Sequence, residues 1–594
     1  MNGVTLLFKI LKRLTKKEWT MIVISVFFIA AQVGLELEIP AYMTKITTAL
    51  ETTGTTAADI LTPGSIMLLL SVLSMLAAII VGFFAARVAA SFAAELRGDV
   101  YDQVMDYSAE DISHFSVPSL LTRSTNDITQ LQQFIAMGLQ VIIKAPITAV
   151  WAIAKIANQN WQWTLATGIA VVVLIIMLTI ILTLVQPRFK LVQSLTDRLN
   201  AITRENLNGL KVVRAYNAEE YQNQKFATAN ANLTNTNLFA NRVLALMNPG
   251  MTLISNGLTL AIYAIGAILI SAAAQAAKLT LFSNMIVFST YAMQVITAFL
   301  LLSIIFILLP RVTVSVGRIN EVLDVKPSIA YGSKTPEASK PAGTIEFKDV
   351  SFHFGDAKED AVKHLSFTAQ PGQTIALIGS TGSGKSTVLN LLDRQYDVSE
   401  GQVLIDGVDV KQYTEQDLNN KIGYAPQKAV LFSGTIRSNI DFGNSPEMQQ
   451  PLSDLEITDA LDTAAALDFV EQEPQQLDAK VAQHGDNFSG GQKQRLAIAR
   501  AVARKPEILM FDDSFSALDY ETDQKVRGKL SSKNKGTTKV IVAQRISAIM
   551  DADQIIVLDD TGNVAGIGTH QELLKKNNVY QEIAYSQLSK EELA

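Results

Sequence analysis

Long apolar runs fill the first half of the chain, at 20–42, 66–90, 135–156, 165–185, 244–270 and 281–309, each with few charges. A helix needs about 20 residues to cross roughly 30 Å of hydrocarbon, so each run predicts a membrane span. Helices of a soluble core seldom run so long with so little charge. Lys9, Lys12, Arg13, Lys16 and Lys17 precede the first run among Leu6, Leu7, Phe8, Ile10 and Leu11, a pattern expected of a retained amphipathic segment. The loop expected at Thr44–Pro63 has one basic residue, Lys45, which places the N-terminus in the cytoplasm and, after six crossings, the second half as well. Trp161 and Trp163 are expected to anchor the outer interface. Two long polar connections, Glu95–Phe134 and Arg188–Arg242, read as helical and are expected to carry the spans into the cytosol.

Beyond the sixth run, Val312–Val325 continues a helical pattern, and Lys326–Gly343 holds Pro327, Gly332, Pro336, Pro341 and Gly343, the composition of a linker. From Ile345 the pattern changes. Short β-rich runs such as Thr374–Ile378, Ile508–Phe511 and Lys539–Ala543 alternate with helical stretches, as in an α/β domain with a largely parallel sheet. The expected fold is multi-domain: an all-α six-helix transmembrane domain over 1–325, a linker over 326–343 and an α/β P-loop domain over 344–594. Composition agrees with this division. Of 594 residues, 48% are hydrophobic and 18% charged, against roughly 25% charged in a typical soluble domain. The net charge of −6 gives no basic track for nucleic acid, and the absence of Cys excludes disulfides, thiolate metal sites and a cysteine nucleophile.

The chemistry concentrates in the second domain. Gly379, Ser380, Thr381, Gly382, Ser383, Gly384, Lys385, Ser386 and Thr387 follow a predicted strand and open a predicted helix, the P-loop pattern in its required context. Glycines let the backbone N–H groups converge on phosphate oxygens, Lys385 adds a point charge, and the helix N-terminus favours an anion. Ser386 is a candidate ligand for Mg²⁺, which prefers oxygen donors. ATP or GTP with Mg²⁺ is therefore the expected ligand. Asp512 ends the strand Ile508–Phe511, where a carboxylate can support the metal through its water shell.

Phe488-Ser-Gly-Gly-Gln492, followed by Lys493-Gln-Arg-Leu-Ala-Ile-Ala-Arg500, resembles the signature of the ATP-binding-cassette (ABC) family. The resemblance implies further roles for residues that stand in the family's order. Phe354 sits where an aromatic stacks on adenine, and Gln427 in Tyr424-Ala-Pro-Gln427 matches the glutamine that senses Mg²⁺. Asp519 in Ser516-Ala-Leu-Asp519 matches the loop between two cassettes, and Ser489, Gly490, Gly491 and Gln492 would contact a partner's ATP. Leu120–Asp127 and Glu205–Tyr216 resemble the first and second cytoplasmic loops of ABC exporters. A half-transporter in the cell membrane is implied, exporting hydrophobic small molecules, with a second ABC half-transporter and membrane lipid as partners and no nucleic acid.

Two positions depart from the family pattern. Asp513 stands where a general-base Glu is usual, and Gln544 where His is usual. Aspartate falls about 1.5 Å short of the glutamate position on an unmoved backbone, and glutamine carries no titratable proton. Binding is expected to survive while hydrolysis suffers, so the resemblance is to the degenerate-site subunit of heterodimeric bacterial multidrug exporters, whose partner supplies Glu and His. A slow homodimer, a lipid or peptide exporter and an ATP-gated channel or regulatory subunit are the alternatives. For the substrate path, Glu36 and Glu38 are candidates because intramembrane charge is costly. Met251, Tyr263, Phe288, Tyr291, Met293 and Phe299 are more readily read as packing residues.

Overall fold

The computed structural model describes residues 3–51, 56–157, 159–355, 357, 359–443, 451–589 and 593. Residues 52–55 of the expected external loop, and the extreme ends of both expected domains, lie outside these. The chain divides into two compact units, Met1–Val104 with Val117–Asp324, and Met105–Ser116 with Val325–Ala594.

The first unit is helical. After the short α1 (Gly3–Leu11) come α2 (Lys16–Glu51) and α3 (Ala57–Met105), and the small α4 (Ala109–Ser113) belongs to the second unit. Then follow α5 (Val117–Thr122), a π-turn over Arg123–Asp127, α6 (Ile128–Val141), α7 (Lys144–Ala157) and α8 (Trp161–Asn208). The unit closes with α9 (Leu210–Ala215), α10 (Glu219–Ala245), α11 (Met247–Ala272) and α12 (Gln275–Asp324). Among the described residues six helical stretches are long and apolar enough to cross a membrane, from Lys16–Leu50 to Ala277–Leu302. The helices run farther than the apolar runs because polar helical sequence continues them, most clearly from Glu95 to Met105 in α3.

Three expectations change. The loop at Thr44–Pro63 shrinks, since α2 continues to Glu51 and α3 begins at Ala57, ahead of Pro63. Asp59 accepts from the Thr56 N–H and hydroxyl at 2.9 and 2.7 Å, capping the helix start there. Leu120–Asp127 is helix and π-turn rather than loop, and the tip of that connection is Met105–Ser116. Trp161 is exposed, whereas Trp163 is buried with its ring 5.4 Å from Phe288. Residues two apart on a helix point to opposite sides, so both indoles cannot face lipid. Met251, Phe288 and Tyr291 are buried in the same apolar cluster as Ile29, Val33 and Leu37, while Tyr263 is exposed.

In the second unit β1 (Ile345–Phe352), β2 (Val362–Ala369), β4 (Glu400–Ile405) and β5 (Val408–Asp409) form an antiparallel sheet ordered β2-β1-β4-β5. The larger sheet uses β3 (Thr374–Gly379), β6 (Ile422–Ala425), β9 (Ile508–Asp512), β10 (Thr538–Val542), β11 (Gln554–Leu558) and β12 (Val564–Gly568). Its order is β12-β11-β3-β10-β9-β6, parallel from β11 to β6. A separate short antiparallel pair joins β7 (Gly434–Thr435) and β8 (Lys480–Val481). The strands read as continuous apolar runs because both faces are covered. Ile375 and Leu377 pack into one core with Met510 and Val540, while Ala376 and Ile378 pack into another with Leu509, Phe511 and Ile541.

Candidate active site

The parallel register gathers the site at one edge. Leu377 of β3 pairs with Val542 of β10, and Val542 with Asp512 of β9, so the residues just beyond these strands emerge side by side. Gly379 ends β3, Asp513 follows β9, Gln544 lies just after β10, and Gln427 just after β6. The carboxyl ends of strands in an open α/β sheet are the ordinary place for a ligand.

The phosphate loop leads into α13 (Lys385–Leu392), with Gly382 and Gly384 both at φ +89°. A side chain at Gly384 would also place its Cβ 2.3 Å from the Ala361 carbonyl oxygen, so only glycine fits. Lys385 is buried, and its Nζ donates to the carbonyls of Gly379 and Ser380 at 2.9 and 2.6 Å and to Ser383 Oγ at 3.3 Å. Burial pulls its pKa down, opposed by the nearby Asp513 and Asp512 charges. Ser386 donates to Asp512 Oδ1 at 2.8 Å. Burial holds the Asp512 carboxyl above its usual value, offset by the Ser386 bond. These hard oxygens at the head of a phosphate-binding helix fit Mg²⁺, which uses one or two protein ligands and keeps several waters.

Asp513 has φ +47°, a left-handed backbone that Asp adopts more readily than most residues. Its Oδ2 accepts from Gln427 Nε2 at 3.4 Å and from Gln544 Nε2 at 3.2 Å. Both departures from the family pattern therefore touch each other. Gln587 holds Gln544 in place, donating to its carbonyl at 2.8 Å while accepting from the Ile546 N–H at 2.9 Å. No motif pointed to Gln587, which comes from the C-terminal region of the chain.

Phe354 is 43% exposed and stands edge-on to Phe352 and Tyr396, with ring centroids 4.8 and 5.3 Å away. This leaves an aromatic surface able to stack on a base. The signature forms a separate group. Ser489 caps α14 (Gly490–Ala503), accepting from the Gln492 N–H at 3.3 Å, while Gln492 Oε1 accepts from the Ser489 N–H at 2.8 Å. This capping box presets a helix N-terminus that favours an anion. The same helix grips the Gln427 loop, since Gln494 donates to the Pro426 carbonyl at 2.9 Å and Arg500 to that of Val430 at 2.8 Å. Asp519 caps α15 (Tyr520–Lys533), accepting from the Thr522 N–H and hydroxyl at 2.9 and 2.8 Å.

Comparison with known proteins is decisive at this point. Residues 22–310 match the ABC transporter transmembrane region and residues 362–516 the ABC transporter model. An ABC transporter ATP-binding protein of Mycobacterium tuberculosis is 38% identical over 532 residues, 89% of this chain and 90% of the relative. A bacterial Atm1-family ABC exporter with ATP bound shares the fold with a TM-score of 0.79 and 25% identity, covering 97% of this chain and 99% of that one.

This chain belongs to the ABC exporter family.

The exporter also resembles a multidrug resistance ABC transporter ATP-binding and permease protein of Lactococcus lactis, 31% identical over 87% of this chain and 85% of the relative. An ATP-dependent lipid A-core flippase of Pseudomonas fluorescens is 30% identical over 84% and 81%. The exporter is a multi-pass membrane protein with a cytoplasmic nucleotide-binding domain.

Proposed function

We propose that this exporter chain is one subunit of a heterodimer that moves small hydrophobic or amphipathic compounds out of the cell, and that its own site binds MgATP but hydrolyses it slowly. In this reading 1–325 is the membrane domain, 326–343 the linker and 344–594 the cassette. The observation that carries it is Asp513, a shortened carboxylate held by two glutamine amides, Gln427 and Gln544. A misplaced group of this kind costs roughly 10²-fold in rate, and a lost general base 10²–10⁴-fold. Gln544 gives one amide N–H to Asp513 and keeps a second that can donate to a phosphate oxygen, but it cannot carry a proton as an imidazole does.

Each remaining part has a role that suits tight binding. Phe354 stacks on the adenine, the phosphate-loop N–H groups and Lys385 hold the phosphates, and Ser386 with Asp512 and the Gln427 carbonyl would hold Mg²⁺. The metal supplies charge neutralisation at the phosphates. The intact Ser489–Gln492 segment would complete a competent site on a partner carrying Glu and His, and Asp519 lies in the loop between the cassettes. Nucleotide binding shifts the transporter between states only by its different affinity for each, so slow hydrolysis here makes this site a long-lived clamp. Likeness to the multidrug transporter supports the substrate class, and the similar likeness to the flippase favours a lipid as the second reading.

Steady-state ATP hydrolysis by the chain alone in lipid, beside a Lys385→Ala control, tests the proposal. Turnover at the control's level is expected. Substantial turnover that the control abolishes would replace the heterodimer with a working homodimer.

A further inference from the structure

Three polar side chains, one from each of three membrane helices, converge on one carboxylate oxygen. Glu36 Oε1 in α2 accepts from Gln32 Nε2 at 2.8 Å, from Ser74 Oγ of α3 at 3.3 Å and from Lys144 Nζ of α7 at 3.0 Å. Gln32 and Ser74 are buried, and they border the apolar cluster that holds Val33 and Leu37. Lys144 stands amid Val141, Ile142, Ile143 and Ile147, about 20 Å along the helix axis from Ala157. It lies where α6 stops at Val141 and α7 begins, with Pro146 unable to return a hydrogen bond to the Ile142 carbonyl. Glu38 and Lys155 form a second pair at 2.6 Å, nearer the Ala157 end.

Stability does not account for the Glu36–Lys144 pair. Taking two charges out of water costs about as much as their attraction returns, and well-packed apolar residues would hold three helices at least as well. The pair also keeps unused capacity. Lys144 has three N–H donors and gives one to Glu36, while the two side chains remain 26% and 32% exposed. One turn along α7, the Thr148 hydroxyl is buried without a partner.

We propose that this node binds the head group of a zwitterionic amphiphile, its anionic group on Lys144 and its cationic group on Glu36. The reason is charge balance in a low-dielectric setting. A dipolar head group exchanges partners with the pair and leaves every charge paired, and Gln32 and Ser74 keep Glu36 in place meanwhile. A singly charged amphiphile pairs one member and strands the other. The inference rests on the reading of the chain as an exporter of amphipathic compounds. A phospholipid and a free amphiphile offer the same head-group chemistry.

The test is displacement of a fluorescent zwitterionic lysophospholipid from the full chain in phosphatidylglycerol nanodiscs. Competitors share one tail length: lysophosphatidylcholine, a sulfobetaine, an alkyltrimethylammonium and a lysophosphatidic acid. The wild type is expected to prefer both zwitterions about tenfold over either singly charged competitor. Lys144→Met should turn the preference to the cation and Glu36→Gln to the anion. Equal competition by all four in the wild type, or an unchanged ranking in both variants, overturns the site. Should a single variant lose ATP binding, and so its fold, the exchanged pair E36K with K144E decides: kept zwitterion preference supports the site and lost preference overturns it. Lysophosphatidylcholine stronger than the sulfobetaine assigns a lipid source, and equality assigns charge alone. Export is read separately, in proteoliposomes that hold the chain together with its partner half-transporter, so head-group preference without amphiphile transport overturns the proposed substrate class, whereas transport without preference overturns the site.

Discussion

Asp513 shows how a single methylene is judged by its neighbours. Its carboxylate is fastened to Gln427 and Gln544, so lengthening it alone leaves the second amide where an imidazole would be needed. Asp513→Glu together with Gln544→His is expected to raise the turnover of the isolated chain by about 10²-fold, with Asp513→Glu alone giving much less, measured as phosphate release. Phe354→Ala removes the exposed ring beside Tyr396 and should weaken ATP binding by the stacking it supplies, about 1–3 kcal/mol, read by nucleotide titration. At this scale the phosphate-loop residues were legible in the sequence, because neighbours in the chain do their work together. The Asp513–Gln544 contact was not, because the two residues follow different strands and meet only through the β9–β10 register. Lys144 and Lys155, which neutralise Glu36 and Glu38, escaped for the same reason.

Elements decide how these residues are held. Gly384 starts α13 at φ +89° against the Ala361 carbonyl, so Gly384→Ala should abolish nucleotide binding while circular dichroism keeps the helical signal of the membrane unit. The connection between α3 and α5 offers a second case. Asp111 of α4 is buried, and its Oδ2 accepts from the N–H groups of Ser108 and Ser328, both at 3.0 Å, and from their hydroxyls at 2.9 and 3.2 Å. Ser328 lies in the segment expected to be a plain linker, and that segment is fastened further where Arg394 donates to the Ala330 carbonyl at 3.0 Å. Burial pushes the Asp111 pKa up, but the four bonds outweigh it and hold the carboxyl below its ordinary value. Stability from a depressed carboxylate is present above the unfolded pKa and is lost as pH falls through the folded one. Hydrogen exchange should therefore show Met105–Ser116 protected above pH ~4 and released below it, with Asp111→Asn releasing it already at neutral pH. Helix and strand existence was legible from apolar period and length. The helix starts at Ala57 and Val117 were not, since capping bonds and helical continuation outweighed the turn signals of Pro63 and the polar Arg123–Asp127 run.

For the whole molecule, the proposed heterodimer rests on an intact signature and a shortened carboxylate in one chain. A tagged copy extracted from its native membrane is expected to bring a different ABC half-transporter in equal amount, with Glu and His at the two altered positions, identified by mass spectrometry. Recovery of this chain alone as a pair would instead support the homodimer. The sequence by itself determined that the chain spans the membrane six times, that a cassette follows, and that the cassette carries a phosphate loop, a signature and two exceptional residues. Those properties are written in runs of neighbouring side chains, where hydrophobic length and local backbone chemistry act without the rest of the fold. Only the tertiary structure decided that Gln544 rests on Asp513, that Asp111 ties its segment to Ser328, and that Lys144 meets Glu36. Each of these joins groups far apart in the chain, and such contacts exist only once strand register and helix packing have brought them within hydrogen-bond reach.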